Sequence, residues 1–287
     1  MITGEFEYFA PATVQEAVSL LTKHGHDAKI LAGGQSLIPA MRFRLSTPPT
    51  IIDINKLTDL QYVREDGSYL AIGALTREAR LEESALVQQR YLMLADATHV
   101  IADPIVRNMA TVGGNIAHAD PANDHPAVML ACNAQVVATG PKGTRVIPID
   151  EFFVGLFENS LKPDEILTEI RIPKPAPHSG SVYVKLERKV GDYAISAAAV
   201  NLTMNGDTCA AARIALTNVN PVPMRAKQAE QALIGKKLTD DVIEASGKAA
   251  AAECDPSADL RGSVDYKRDI TRVLVKRAIR AARQRAS

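Results

Sequence analysis

The chain has 287 residues, 33 basic against 33 acidic side chains, and no net charge. At roughly 100–200 residues per domain, that length allows one large or two moderate domains with a full core, and zero net charge excludes a global pull toward nucleic acid or anionic membranes. Three scattered cysteines, Cys132, Cys209 and Cys254, contain no C-x-x-C pair and exclude a disulfide framework or an encoded iron–sulfur or zinc site, so redox chemistry would need a borrowed cofactor.

The start, MITGEFEYFAPATVQEA, lacks a basic segment followed by an apolar one, and no run of about 18 apolar residues occurs anywhere. A cytoplasmic protein is expected, with the inner face of the membrane as the other place for it. Thr13 and Glu16 form a capping box, and Val14, Ala17, Val18 and Leu21 repeat at helical spacing until Gly25, so the first helix is predicted here. AKIL (28–31) reads as a buried strand running into Gly33-Gly34, and TIIDIN (50–55) as a second, giving a strand–turn–strand pattern with a glycine elbow.

Further on, YLAIGAL (69–75) is predicted as a strand, 84–101 as helix, and AVMLACNA (127–134) as a short helix. A hairpin is expected over 134–150 around Gly140–Gly143, and another strand over 165–173. PKPAPHSGS (173–181) interrupts the periodicity and reads as a linker. Beyond it come three strands, the last two joined by a hairpin at 205–207, then helices near 224–234, 239–252 and 264–284. Strands followed by helices predict a separate α+β domain. The expected division is 1–176, itself in two parts of about 1–55 and 56–176, and 177–287.

Three stretches could carry chemistry. In LAGGQSL (31–37), paired glycines after a strand permit positive φ and close ligand approach, and the N–H groups of Gln35, Ser36 and Leu37 could form an anion nest suited to a pyrophosphate. The pattern is neither a P-loop nor G-x-G-x-x-G, which counts against a P-loop NTPase or a Rossmann dehydrogenase. TVGGNIAHADPANDHP (111–126) supplies the same device again: Gly113-Gly114 would turn the chain, with Thr111 and Asn115 at the mouth and Asp120 and Asp124 as acceptors. Two such elbows could clamp one long ligand, although DPANDHP also has ordinary turn chemistry. His118 and His125 are seven apart around Pro121, which argues against a metal site. In VKLERKVGDYAIS (184–196), Gly191-Asp192-Tyr193 breaks strand periodicity and could push the Tyr193 ring outward beside a planar cofactor.

Taken together, AGGQSLIPAMRFRL, IADPIVRNMATVGGNIAHADPANDHPAVML and KLERKVGDYA resemble the FAD-binding medium subunits of molybdenum hydroxylases, the xanthine dehydrogenase family, and most closely those of the carbon monoxide dehydrogenase type and of N-heterocycle oxidoreductases. The resemblance covers nearly the whole chain. It implies an α+β fold: a two-part FAD-binding domain of the vanillyl-alcohol-oxidase type, then a small domain of a three-stranded antiparallel sheet with helices. It further implies that Ala32, Gly33, Gly34, Gln35, Ser36 and Leu37 with Thr111, Gly113, Gly114 and Asn115 cradle the diphosphate of a non-covalent FAD. Asp124 would meet a polar part of the cofactor. Ile101, Leu167 and Lys185 would pack around or hydrogen-bond it, and Tyr193, the one candidate for a catalytic position, would sit near the isoalloxazine. Gln35 departs from relatives that carry His, and the cysteine loop that holds an iron–sulfur cluster in some relatives is absent.

The implied role is electron transfer. A large subunit would hold the molybdenum cofactor, a small one the [2Fe-2S] clusters, in a dimer of heterotrimers, and this chain would pass electrons to quinone, dioxygen or another carrier. A stand-alone FAD-dependent oxidoreductase and a cofactor-free scaffold protein are the alternatives.

Overall fold

In the computed structural model, residues 2–286 are described. The chain opens with β1 (Glu7–Phe9), α1 (Val14–His24), β2 (Ala28–Leu31), α2 (Leu37–Arg42) and β3 (Thr50–Asp53), which build a three-stranded sheet ordered β1-β3-β2. α1 forms where its caps require: the Thr13 hydroxyl accepts from Glu16 N at 3.1 Å, the Glu16 carboxylate accepts from Ala12 N at 2.8 Å, and Gly25 ends the helix at φ 56°. Ala17, Val18 and Leu21 are its buried face. The expected strand–turn–strand unit is corrected here. β2 and β3 run parallel, parallel neighbours need a crossover, and α2 lies within it.

The second part holds β4 (Val63–Asp66), β5 (Tyr69–Gly73), α3 (Glu78–Glu82), α4 (Ala85–Arg90), α5 (Leu92–Val100), α6 (Pro104–Met109), α7 (Val112–His118) and α8 (Asp124–Ala131). It continues through β6 (Gln135–Gly140), β7 (Gly143–Pro148), β8 (Phe153–Gly155), β9 (Glu158–Asn159) and β10 (Ile166–Pro173). Five of these strands form the order β4-β5-β10-β6-β7, with the apolar β10 in the middle, antiparallel to both neighbours. The helical run expected over 84–101 is two helices, broken at Tyr91, whose backbone leaves the helical region at φ −122°, ψ 60°.

The last part comprises β11 (Ser179–Glu187), β12 (Ala194–Asn205), β13 (Thr208–Thr217), β14 (Met224–Arg225), α9 (Lys227–Gln231), α10 (Asp240–Glu253) and α11 (Val264–Arg285). The sheet is the expected antiparallel one with a two-residue fourth strand at its edge. Its strands are apolar on both faces because both are covered. Val182, Val200 and Ile214 lie in one row beneath α11 and α9, whereas the row Tyr183, Ala199 and Ala215 joins the core of the preceding part against α5 and α8. No helix among the described residues is long and apolar enough to cross a membrane.

Candidate functional site

The first glycine pair is an elbow as expected, but its two glycines serve different ends. Gly34 has φ 74°, a left-handed conformation that disfavours any side chain. Gly33 is there for proximity: a Cβ would run into the Met109 carbonyl and come within 2.8 Å of Ala110 Cα. The elbow therefore lies in contact with the segment that leads into the second glycine pair. Among the described residues the N–H groups of Gly33, Gly34, Gln35, Ser36 and Leu37 have no acceptor in this chain. Five consecutive donors without an acceptor at a turn are what an anion nest requires.

The second glycine pair is not a turn, and the expectation of two like elbows is corrected. Gly113 and Gly114 lie within the first turn of α7, whose N-cap is Thr111. Thr111 Oγ1 accepts from Gly114 N at 3.1 Å, Val112 N donates to Thr76 O, Gly113 N to Ala74 O and Asn115 N to Thr111 O, so these backbone donors are already engaged. Gly113 is needed for packing, since its Cβ would meet Ala74 O at 2.6 Å at the end of β5. At Gly114 the only obstacle to a Cβ is Thr111 Oγ1, 2.7 Å away. What this segment offers a ligand is side-chain chemistry: the Thr111 hydroxyl proton and the Asn115 carboxamide, whose Oδ1 is buried without a partner.

A network not foreseen from the sequence fixes the two segments together. Asn55 Nδ2 donates to Ala32 O at 2.7 Å, and Arg77 bonds both Asn55 Oδ1, at 2.7 Å, and the Met109 carbonyl. Asp53 orients Asn55, accepting from its N at 2.9 Å and its Nδ2 at 2.7 Å, and Tyr8 OH donates to the other Asp53 oxygen at 2.7 Å. The signal was the D-x-N that begins with the last residue of β3, a sequence given to side-chain-to-backbone turns.

From α7 the chain passes through Asp120 to α8, where Asp124 meets the last sheet. Lys185 Nζ donates to Val100 O at 2.9 Å and Asp124 Oδ2 at 3.1 Å and lies 3.3 Å from Glu187 Oε2. Tyr183 OH donates to Asp124 Oδ1 at 2.5 Å. Both Asp124 oxygens are thus engaged within the chain. Burial pushes the Asp124 pKa up against the opposing Lys185 charge and Tyr183 hydrogen bond, and burial together with Asp124 puts Tyr183 well above the usual phenol range. Ile101 follows the Val100 carbonyl directly and is buried, its own carbonyl held by Arg107 Nη1 at 2.9 Å. Leu167 is a buried residue of β10 in the core shared by the two halves.

Tyr193 stands on the connection between β11 and β12, 44% exposed, so the ring is displaced from the sheet as expected. Burial raises its pKa, followed by the charge of Asp120, so the ring lies in the field of the segment that leaves α7. Apart from Leu167, which lies in the core, the predicted residues gather as two groups, the paired segments around Ala32–Leu37 and Thr111–Asn115, and the set Ile101, Asp124, Lys185 and Tyr193, joined by the run from α7 to α8. Asn123 Nδ2 braces that run on Asn115 O at 3.2 Å. Among the described residues no cluster of His, Cys, Asp and Glu could hold a metal ion.

Two family models match. The FAD binding domain in molybdopterin dehydrogenase covers residues 4–175, and the CO dehydrogenase flavoprotein C-terminal domain covers residues 181–282. The chain is 47% identical to the carbon monoxide dehydrogenase medium chain of Hydrogenophaga pseudoflava, over 98% of each chain. It is 41% identical to the medium chain of Afipia carboxidovorans carbon monoxide dehydrogenase, over 100% of this chain and 99% of that one. A solved structure of the Hydrogenophaga pseudoflava enzyme, lacking the Mo-pyranopterin moiety of its cofactor, superposes with a TM-score of 0.98 at 48% identity, covering 100% of both chains.

Proposed function

The chain belongs to the FAD-binding medium subunits of molybdenum-containing dehydrogenases, and on that premise we propose that it carries electrons from the [2Fe-2S] clusters of a small partner subunit, through a non-covalent FAD, to an external acceptor. The observation that carries this is the row of five open N–H groups at Gly33–Leu37, set against the Thr111–Asn115 segment.

The residues fit the cofactor. A diphosphate needs hydrogen-bond donors, which the open N–H groups of Gly33–Leu37 supply, and the buried, unpartnered Asn115 Oδ1 would accept from a hydroxyl or N–H elsewhere on the same ligand. Ala32 to Leu37 would cradle the diphosphate from one side, and the Thr111 hydroxyl and Asn115 carboxamide would face it from the other, on a helix start that Gly113 lets pack against Ala74 and at which Gly114 adds no side chain. Gln35 reaches back to Gly33 O at 3.4 Å, so it would brace the elbow. Lys185, fixed by Asp124 and the Val100 carbonyl, would present a held positive charge, and Ile101, Leu167 and Tyr193 would enclose the ring end. When bound, FAD stores two electrons and exchanges them singly or in pairs. The chain's own work is to hold one edge of the ring system toward the partner and leave another reachable.

A large molybdenum-cofactor subunit and a small iron–sulfur subunit, arranged as a dimer of heterotrimers, would complete the complex. The acceptor would be quinone, dioxygen or another carrier. The substrate is chosen on the large subunit, and the identity to two carbon monoxide dehydrogenase medium chains makes carbon monoxide the first to try.

Purification from its own host tests this. The chain should travel with a large and a small companion and carry about one FAD, released into solution by acid because an anion nest makes no covalent bond. A colourless chain without affinity for FAD would oppose the proposal, as would flavin that stays with the precipitate. An organic substrate that reduces the flavin of the isolated chain would favour a stand-alone oxidoreductase instead.

A further inference from the structure

We propose that Arg261, in the loop between α10 and α11, is a positioning residue that holds the Tyr193 ring in place at the cofactor cleft through Asp192. The inference rests on the reading above, in which Tyr193 lies beside the flavin.

Tyr193 is not held by a strand. Its turn is braced from two sides. On one side Gly191, at φ 80°, sits so close to the loop after α5 that a Cβ would meet Ala102 O at 2.8 Å. Arg107 fixes that loop, donating to Ile101 O at 2.9 Å and Ala102 O at 3.1 Å while its Nε bonds Glu82 at 2.8 Å. On the other side Arg261 Nη2 bonds Asp192 Oδ1 at 2.6 Å, and the same oxygen accepts from Tyr193 N at 2.9 Å. The Arg261 guanidinium also stands over the Tyr193 ring, 5.6 Å from its centroid, within reach of a cation–π attraction. One side chain thus fixes both the backbone and the ring of Tyr193.

Arg261 is itself preorganised. Asp259 Oδ1 accepts from Arg261 N at 2.8 Å and Gly262 N at 3.1 Å, and the buried Lys267 of α11 donates to Asp259 Oδ2 at 2.9 Å and Ser257 O at 3.0 Å. The other cation near Asp192, Arg188, is 3.6 Å away and mostly exposed, so solvent screens it. Arg261 Nε is enclosed without an acceptor. Leaving that donor unmet has a cost, which is reasonable where the guanidinium is placed for the ring and not for its own hydrogen bonds. The consequence is a fixed aromatic wall, tied to the last helix of the chain.

The test uses the assembled, FAD-loaded complex and reads acrylamide quenching of the bound flavin's fluorescence, with FAD content and melting temperature recorded alongside. Arg261→Gln should leave FAD content unchanged and raise the quenching constant several-fold, toward the value of Tyr193→Ala. Arg261→Lys, which keeps the charge on Asp192 but not the planar group over the ring, should fall between wild type and Arg261→Gln. The double variant Arg261→Gln/Tyr193→Ala should match Tyr193→Ala alone, because the two act as a unit. A wild-type constant in Arg261→Gln, with a raised one in Tyr193→Ala, would overturn the role of Arg261 and leave the placement of Tyr193 standing. A wild-type constant in Tyr193→Ala would overturn both.

Discussion

At single residues, the functions of the glycines separate once their surroundings are known. Gly114→Ala places a methyl 2.7 Å from Thr111 Oγ1, and losing that cap should cost about 1 kcal/mol while FAD content falls. Gly33→Ala drives a methyl onto the backbone of Met109 and Ala110, so it should remove FAD binding and destabilise by ~1–3 kcal/mol, as overpacking does. Gly67→Asn, at φ 55° with open space around it, should retain the cofactor, since Asn tolerates that conformation. Flavin absorbance per protein decides; equal values in all three variants would remove the diphosphate cradle. A second pair of residues sets a pH dependence. His125 and Glu78 are wholly buried and bonded at 2.8 Å. Burial alone pulls the imidazole pKa down, but the Glu78 charge and hydrogen bond, helped by Asp124, more than offset it, and the value lies above the ordinary one. A folded-state pKa raised above the unfolded one stabilises fully below the unfolded value, near 6.5, and that contribution fades as pH rises through the folded value. Glu78→Gln should cost about 3–5 kcal/mol at pH 6, as breaking a buried pair does, and should flatten the fall of melting temperature on the alkaline side. Equal slopes in the two proteins would mean the pair is not charged.

Among the elements, α7 and the elbow before α2 repay comparison because the sequence shows them as alike. Both are glycine pairs flanked by polar side chains, yet one turns with φ 74° at Gly34 and the other continues as helix. The distinguishing mark was Thr111, a good N-cap three residues before Gly114. Two adjacent glycines lower helix propensity enough to hide it, and the contacts with Ala74 and Thr76 that stabilise α7 come from the turn after β5, far back in the chain. Asp103-Pro104 marks the start of α6 by the same logic, a cap followed by proline at the first helical position. Long periodic segments such as α1 and α11 were legible because one apolar face decides them, and β10 because its residues are apolar enough to be buried on both faces. β1 and β4 were not, being edge strands of three and four residues that present mixed side chains. The candidate cleft was legible as residue types in order, whereas the Asp53–Asn55–Arg77 network that aligns it joins separate elements and leaves no periodic trace. Asn55→Ala should therefore release the Ala32 carbonyl and weaken FAD binding with a modest stability loss of ~1–3 kcal/mol, that of an unmet buried group. Equilibrium titration of the apoprotein with FAD measures it; an unchanged dissociation constant would show that the elbow holds its shape unaided.

Over the whole molecule, the boundary between the two matched family models, between residues 175 and 181, is one of topology and not of core. Tyr183, Ala197, Ala199 and Ala215 turn from the last sheet into the cluster that also contains Leu94, Val128, Leu130 and Ile170. Small residues on that face let α8 lie close against β12 and β13, and polar ties seal the seam. Arg285 pairs with Asp96 at 2.6 Å and donates to Ser181 O at 2.7 Å, Tyr183 N donates to Asp96 Oδ2 at 3.1 Å, and Arg213 Nε holds Leu130 O at 2.9 Å near the end of α8. Neither half can leave the other without exposing part of a continuous apolar cluster, so the chain should unfold as one unit. Calorimetry should give a single transition whose calorimetric and van't Hoff enthalpies agree. Ala199→Leu tests the reason: three added carbons where α8 approaches the sheet should lower stability by ~1–3 kcal/mol through overpacking and move the whole transition. Two separated peaks, only one of them shifted by Ala199→Leu, would mean that the halves fold independently and that the shared cluster is a docked interface.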